Sequence, residues 1–289
     1  MNKKGLIVIN GYGVAEGVQH QVKRLLEEFS KRNVKIDVRT STDIFSYIKE
    51  GTISVDLPKY DFVIYTDKDR YVAGELEKAG YRLFNRVDSI VKCDDKMLTH
   101  LSLSNNGIKM PTTISSALCY RDDGNRNYLD KVIEIIGLPM IVKENYGSLG
   151  RQVYLINNKN ELSEIEDKLI HIPHIFQQFI ESSKGKDYRL IVIGGEVVAY
   201  MKRENKHSYL SNLATGGKSC VVKLPNAYIE MAEKCARILG LDYCGVDILK
   251  GKSGEPILSE VNSNAFYEGI EKTTGVNVAQ LYVDYILSK

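Results

Sequence analysis

Asp247, Glu260 and Asn262 are the residues of this chain whose types and spacing point most directly to chemistry. They lie in Gly245 to Asn264, GVDILKGKSGEPILSEVNSN, where two segments of β character, Asp242 to Lys250 and Pro256 to Asn262, flank the turn Gly251-Lys252-Ser253-Gly254. This pattern reads as a β-hairpin. Side chains alternate across a strand, so Glu260 and Asn262 share a face, and a turn centred near Ser253 brings Asp247 onto the same face. Val246, Ile248, Ile257 and Val261 form the apolar side. Two carboxylates and an amide oxygen at fixed separations suit a hard cation. Mg²⁺ is typically held by one or two carboxylates together with water and the phosphates of a nucleotide. A solvated face carrying ordinary surface acids has the same spacing, so the metal reading depends on what else the chain supplies.

It supplies what a nucleotide needs. Lys143 ends a strand, Met140 to Lys143, immediately before the glycine loop Glu144 to Gly150, where a cation can meet a phosphate whose other oxygens take backbone N–H groups of Gly147 to Gly150. A second strand, Gln152 to Ile156, follows, which makes this a flexible hairpin; a P-loop needs a helix there. The string Thr215-Gly216-Gly217-Lys218-Ser219 resembles a P-loop ending, but Asn212 holds the place of its first glycine and Cys220 to Leu224 looks extended. Asp187 and Arg189 share a face of one strand, and Asp187 suits either ribose hydroxyls or a surface ion pair. His171 and His174 straddle Pro173, which argues against a helix presenting both to a metal and for helix-end or loop positions. No GxSxG or Cys/His constellation suggests a covalent nucleophile.

Gly11, Gly13 and Gly17 form GxGxxxG after a short strand, with Asp37 about 20 residues on, as in a dinucleotide fingerprint. A nicotinamide-dependent oxidoreductase is therefore an alternative. Against it, the third glycine is out of register and only three strands precede a change of pattern. The competing account is a tight turn facing a substrate crevice.

The elements that must position these residues follow from periodicity. Leu6 to Ile9, Val34 to Val38 and Phe62 to Tyr65 read as strands, with a helix bearing Val18, Val22, Leu25, Leu26 and Phe29 on one stripe and further helical segments between the second and third strands and after Arg70. Residues 1–93 thus form a small open α/β sheet. Beyond them, helices are expected over Asp94 to Asn105, Asn127 to Ile136, Leu162 to Leu169, Tyr228 to Leu239 and Asn277 to Leu287, with strands at Ile175 to Ile180, Tyr188 to Ile193 and Val197 to Arg203.

The 289 residues are 43% hydrophobic and 26% charged, with 39 basic and 37 acidic side chains for a net charge of +2. That balance points away from nucleic acid or an anionic membrane as main partner. Tyrosines, 18 of them, are spread without a basic stripe, so they do not read as a stacking platform. Five scattered cysteines without a CxxC pair imply neither a disulfide framework nor a zinc site, and a reduced, cytoplasmic setting is expected. No apolar run has membrane-spanning length, and the apolar start is too short for a signal peptide.

From Asp94 onward the chain resembles the ATP-grasp carboxylate–amine ligases, most closely their RimK-like branch. The matching stretches are DKMLTHLSLSNNGIKMP (Asp94 to Pro111), PMIVKENYGSLGRQVYLI (Pro139 to Ile156), DYRLIVIGGEVVAYMKR (Asp187 to Arg203), SNLATGG (Ser211 to Gly217), the Gly245 to Asn264 hairpin and EGIEKTTGVNVA (Glu268 to Ala279), in the family's order. The resemblance implies an α/β class, with α+β character in the ATP-binding part: an ATP-grasp fold behind an N-terminal open α/β domain, divided as 1–93, a lobe 94–176 with the glycine loop, and a lobe 177–289 with the metal hairpin. It implies ATP with Mg²⁺, two ions, and Mn²⁺ able to substitute. Lys96 and Lys143 would contact phosphates, the loop of Gly147, Ser148 and Gly150 would close over them, and the Gln178-Phe179 hinge would hold adenine. Asp187 would take the ribose, Ser211 and Asn212 would sit near the triphosphate, and Arg203, with Asn212, would serve catalysis at the reacting carboxylate. Asp247, Glu260 and Asn262 would hold the metal. Small carboxylate and amine substrates, amino acids or a peptide among them, are the implied partners, and homo-oligomerisation is left open. Phosphotransfer to a non-carboxylate acceptor is the alternative within the fold.

The chain departs from the family's glutamate ligases where those tend to carry arginines: here the positions hold Leu210 and Thr215. Asn264-Ala265-Phe266 stands where they have Ser-Pro-Gly. Two missing cations weaken the expectation of an acidic amino acid or polyglutamate tail as acceptor, because a buried carboxylate without a partner costs several kcal/mol.

Overall fold

The structure, a computed structural model, describes residues 3–122 and 124–289, with the backbone alone for Thr215. Its first layer contains β1 (Lys4–Ile9), α1 (Glu16–Ser30), β2 (Lys35–Thr40), β3 (Ser46–Lys49), β4 (Thr52–Val55), β5 (Phe62–Tyr65), α2 (Arg70–Lys78), β6 (Leu83–Phe84) and α3 (Val87–Asp94). A parallel sheet runs in the order β2-β1-β5-β6. Leu6 and Val8 are buried on one side of it and Ile7 on the other, which is why β1 is a continuous apolar run: helices cover both faces of a parallel sheet. The helix expected between β2 and β5 is absent. Ser46 to Val55 instead forms an antiparallel hairpin, turning at Glu50 and Gly51 with φ of 50° and 76°. Two consecutive left-handed residues make the turn whose twist matches paired strands.

The second unit comprises α4 (Lys96–Leu103), β7 (Thr113–Ser115), α5 (Tyr128–Ile136), β8 (Met140–Glu144), β9 (Val153–Ile156), α6 (Lys159–Leu169) and β10 (His174–Gln178), with an antiparallel sheet in the order β7-β10-β8-β9. Helices α5 and α6 pack on it through Leu129, Val132, Leu162 and Ile165 against Met140, Val142 and Phe176. The helix expected from Asp94 starts two residues later. Asp94 closes α3, and Asp95 caps α4 by accepting from the N–H groups of Met97 (2.8 Å) and Leu98 (3.0 Å).

The third unit holds β11 (Lys186–Ile193), β12 (Glu196–Glu204), β13 (Lys218–Cys220), α7 (Asn226–Leu239), β14 (Tyr243–Lys250), β15 (Pro256–Asn262), α8 (Glu268–Thr274) and α9 (Val278–Ser288). Its antiparallel sheet runs β13-β12-β11-β14-β15. One face packs on α7 through Leu190, Val192, Val246, Ile248, Leu258 and Val261. The other contributes Ile191, Ile193, Ala199 and Met201 to a core shared with α9 and with Leu25, Phe29 and Phe62 of the first layer. The apolar side of the hairpin differs from the expected one by a residue. Asp247 pairs with Glu260 but Ile248 with Leu258, so Ser259 is an extra residue in β15, and this bulge puts Leu258 in the place expected for Ile257. Among the described residues no helix is long and apolar enough to cross a membrane.

Candidate active site

The three units enclose a cavity of about 1330 Å³, more than the roughly 300–1,000 Å³ of a pocket for one small ligand. Every residue given above a part in holding ATP or the metal or in catalysis by the ligase resemblance lines it: Lys96, Lys143, Gly147, Ser148, Gly150, Gln178, Phe179, Asp187, Arg203, Ser211, Asn212, Asp247, Glu260 and Asn262.

At its floor the antiparallel register of β12, β11 and β14 builds a charge network. Asp187 stands opposite Arg203, and Arg189 opposite Asp247. Both pairs are two-pronged: Arg203 Nε donates to Asp187 Oδ1 at 2.7 Å and its Nη2 to Oδ2, while Arg189 donates to Asp247 at 2.7 and 2.5 Å. Arg203 also reaches Asp247 Oδ2 at 3.0 Å, which joins the pairs. Asp187, Arg203 and Asp247 are buried. Asp187 is therefore neither half of a surface ion pair nor bonded to Arg189 beside it; its partner lies across the ladder. Burial alone would raise the Asp247 carboxyl, but the two guanidiniums override it and hold it at about 2. For Arg203 burial would lower the pKa, and Asp187 and Asp247 drive it upward instead.

Glu260 and Asn262 extend this floor along β15, opposite Asp247 and Gly245. Asn262 Nδ2 is buried with no partner; with the amide turned over, an oxygen faces that place beside two carboxylates. The donor set is all oxygen and fits a hard divalent cation such as Mg²⁺. Among the described residues no cluster of three His, Cys, Asp or Glu side chains competes for a metal.

Two lysines face the carboxylates. Burial lowers Lys143 to about 8, with Glu260 pulling it up and Lys96 pushing it down. Lys96 Nζ lies 4.0 Å from Glu260 Oε1 and donates to the carbonyls of Asn145 (3.3 Å) and Gly147 (3.4 Å). The glycine loop between β8 and β9 is thereby tied to the start of α4. Its bend uses Leu149 and Gly150 at φ of 60° and 76°. Leu210 sits under it, 3.1 Å from where a Gly150 Cβ would be, and Tyr209 OH donates to Val153 O at 2.8 Å. Leu210 thus packs beneath the loop; the side chain of Thr215, its companion departure, lies outside what is described. Gln178 and Phe179 lead from β10 toward β11, with Gln178 N–H donating to Thr112 O at 2.8 Å.

The Walker-like glycines have a packing role. A Cβ at Gly217 would lie 2.2 Å from Ser211 O, and Gly217 N–H donates to Asn212 O at 3.1 Å, so this turn sets the Ser211-Asn212 backbone. The GxGxxxG stretch is also occupied by its own structure. Asn10 Oδ1 accepts from the N–H groups of Tyr12 (2.9 Å) and Gly13 (3.2 Å), and Asp37 is held by Lys4 (2.9 Å) and Tyr60 (2.8 Å). Three amides of the turn, with Gly11 N–H donating to Ser41 Oγ at 3.1 Å, and the carboxylate of Asp37 are thus already engaged within the protein. His174 is not a loop residue: it opens β10, buried, with Nε2 2.9 Å from Glu166.

Sequence reasoning missed Arg189 as the partner of Asp247, although pairing in an antiparallel ladder was the signal that could have found it. It placed the first layer's glycine turn at a substrate crevice, and Asn10 and Gly13 do line the cavity, but it named none of the other first-layer residues there. Asn10, Val14, Val18, Thr66 and Asp67 line one end, Asn264 Nδ2 donates to Thr66 O at 2.6 Å, and the Phe266 ring lies against α1, 2.4 Å from where a Gly17 Cβ would be. These contacts join residues some 200 positions apart and have no local pattern.

The comparisons with known proteins agree with this geometry. Residues 93–286 match the RimK-like ATP-grasp domain. The chain is 33% identical over 281 residues to a probable alpha-L-glutamate ligase of Psychromonas ingrahamii, covering 92% of this chain and 91% of that one. It is 33% identical over 230 residues to N-acetylaspartylglutamate synthase A of Homo sapiens and 31% over 247 residues to beta-citrylglutamate synthase B of Danio rerio, covering 78% and 85% of this chain. It spans only 57% and 59% of the length of those two relatives. Among solved structures, the ATP-grasp ligase PsnB with its minimal precursor superposes with a TM-score of 0.73 at 16% identity, covering 100% of this chain and 99% of that one. D-alanine–D-alanine ligase from Bacillus anthracis complexed with ATP gives 0.72 at 20% identity, covering 99% and 96%. These last two likenesses speak to the fold, which is ATP-grasp, of the α/β class. The chain belongs to the RimK-like ATP-grasp family.

Proposed function

We propose that the protein is an ATP- and Mg²⁺-dependent ligase that joins a carboxylate to an amine. The observation that carries this reading is the meeting, in one cavity, of an all-oxygen metal set on β14 and β15, the Asp187–Arg203–Asp247–Arg189 network, and two lysines beneath a glycine loop. Lys96 and Lys143 neutralise phosphate oxygens, and Gly147, Ser148 and Gly150 cover them with backbone N–H groups. The backbone at Gln178-Phe179 holds adenine. Asp187 keeps two of its roughly four lone-pair sites for the ribose after bonding Arg203. Ser211 and Asn212 take the triphosphate. Asp247, Glu260 and Asn262 would hold Mg²⁺, two ions, or Mn²⁺ in its place, and the ion would supply charge neutralisation to the phosphates of the nucleotide.

A free carboxylate does not condense with an amine at neutral pH because oxide is its leaving group. Here a carboxylate oxygen attacks the γ-phosphorus, the bond from that phosphorus to the β–γ bridging oxygen breaks, and ADP departs with the electron pair. The amine nitrogen then attacks the acyl carbon, phosphate leaves and the nitrogen gives up its proton. Arg203 faces the reacting carboxylate and stabilises charge on its oxygen, with Asn212 beside it. No side-chain nucleophile is needed. We assign residues 1–93 to closing the substrate end of the cavity, and 94–176 and 177–289 to the two lobes around ATP. Five free cysteines among the described residues support a reducing, cytoplasmic setting.

The test is ADP release over a panel of acids and amines. Release that requires both a carboxylate and an amine supports the reading; release driven by a hydroxyl or phosphate acceptor alone overturns it.

A further inference from the structure

On the metal reading above, we infer that Asn85 of the first layer is a positioning residue for Asn262, so that the metal set is completed only where the first layer meets the β14–β15 hairpin. The three residues of that set are held unequally. Asp247 is gripped by Arg189 and Arg203, and Glu260 has Lys96 Nζ 4.0 Å away. Asn262 Nδ2 is buried with no partner. Its amide is therefore aimed by its backbone. That backbone stands at a strand end: Asn262, opposite Gly245, makes the last rung of the β14–β15 ladder. A last rung is supported by the ladder on one side only, so whatever lies beyond it decides how firmly it is held.

Asn85, buried between β6 and α3, occupies the place beyond that rung. Its Nδ2 donates to Tyr243 O and to Ser263 O, both at 2.8 Å, and its Oδ1 accepts from the N–H groups of Asp242 (2.7 Å) and Tyr243 (3.0 Å). Two donors and two lone pairs are the full capacity of the amide, and all four are used. Backbone carbonyls meet its nitrogen and backbone N–H groups its oxygen, so its orientation is fixed. One side chain thus ties the start of β14 to the residue after Asn262, where a further rung would otherwise be needed.

The next two residues are anchored by the first layer as well. Asn264 Nδ2 donates to Thr66 O at 2.6 Å, and Ala265 O accepts from Gln21 Nε2 at 2.8 Å and from Tyr243 OH at 2.5 Å. A Cβ at Gly245 would lie 2.4 Å from Ala265 Cβ, so this segment packs directly on the rung that holds Asn262. Removing the Asn85 amide leaves that rung held from one side. The two carboxylates keep their own partners, so the metal still binds, but with its amide ligand loosened.

The experiment reads metal against nucleotide without turnover. The Kd of ADP for the full chain is measured by calorimetry in EDTA and in saturating Mg²⁺, and the ratio of the two reports the metal's contribution. Asn85→Ala should lower this ratio at least fivefold, through the Mg²⁺ value, with the EDTA value within twofold of wild type. Gln21→Leu, which frees only Ala265, should lower it at least twofold. Glu166→Gln, on α6 in the second unit, should leave it unchanged, because lost stability alone does not reach the metal set. An unchanged ratio in Asn85→Ala overturns the inference, as does equal weakening in EDTA and in Mg²⁺, or a fall of the same size in Glu166→Gln. If Asn85→Ala does not fold, Gln21→Leu decides, and an unchanged ratio there overturns the inference. Wild-type binding of ADP that is the same with and without Mg²⁺ strikes the metal reading itself, and the inference with it.

Discussion

Lys143 sits in the free protein with its ammonium held down to about 8, because burial opposes the charge more than Glu260 supports it. A phosphate arriving there supplies a strong counter-charge, so only the protonated lysine binds it well. A charge-assisted bond of this kind is worth about 1.5–3 kcal/mol, or roughly 10- to 150-fold in Kd. Replacing Lys143 by Ala should weaken ATP binding by that factor. The folded value lies below the ordinary lysine value, so the charged, binding-competent form prevails below about pH 8 and is lost as pH rises through it. The protonated fraction drops from about nine-tenths near pH 7 to about one-tenth near pH 9, which weakens binding by up to about tenfold across that interval. Titration calorimetry in buffers of different ionisation enthalpy reads both quantities, and near pH 8 it should show proton uptake as ATP binds. Lys143→Arg should bind ATP with a flat profile, since a guanidinium does not titrate there. A wild-type Kd unchanged from about pH 7 to about pH 9, or a Lys143→Ala protein within twofold of wild type, would refute the reasoning.

Further expectations follow from the same geometry. Asp247→Asn and Glu260→Gln should each abolish turnover with the fold intact by circular dichroism, because each removes charge from the metal set while the strand's apolar face stays packed; full activity at saturating Mg²⁺ in both would contradict this. The Asp247 carboxyl, held at about 2, contributes stability that is present above the ordinary carboxylate range and is lost as pH falls toward that value, so Asp247→Asn should blunt acid unfolding in that window. Glu166→Gln weakens the buried hydrogen bonds that the carboxylate makes with His174 and Tyr128 and should cost roughly 1–3 kcal/mol in urea unfolding while ATP affinity per folded molecule is unchanged. Gly217→Ala drives a methyl into Ser211 O and should weaken ATP binding, seen as a raised Kd with native secondary structure.

How much of this was legible depended on whether a feature is local. The period of two in β14 and β15 placed Asp247, Glu260 and Asn262 together, and their pairing bears it out. The bulge at Ser259 left no mark in composition, so Ile257 was expected where Leu258 packs. The β3–β4 hairpin was misread as helix because its two four-residue strands are too short for alternation to stand out from a helical pattern. Helix α8 is only seven residues long, too short to show a stripe, and was not anticipated. Arg189 was noted beside Asp187 along one strand, but each is bonded across the ladder, a relation fixed only by strand order. The wall that Phe266 makes with Gly17 depends on two chain segments meeting in space, and nothing in either one announces the other.

The central claim is that the carboxylate itself takes the phosphoryl group before the amide forms, and the most direct measurement follows its oxygen. With the acid labelled by ¹⁸O in the carboxylate, the account predicts that one labelled oxygen appears in the released inorganic phosphate for each amide made. Label retained wholly in the organic product, with unlabelled phosphate, would contradict it.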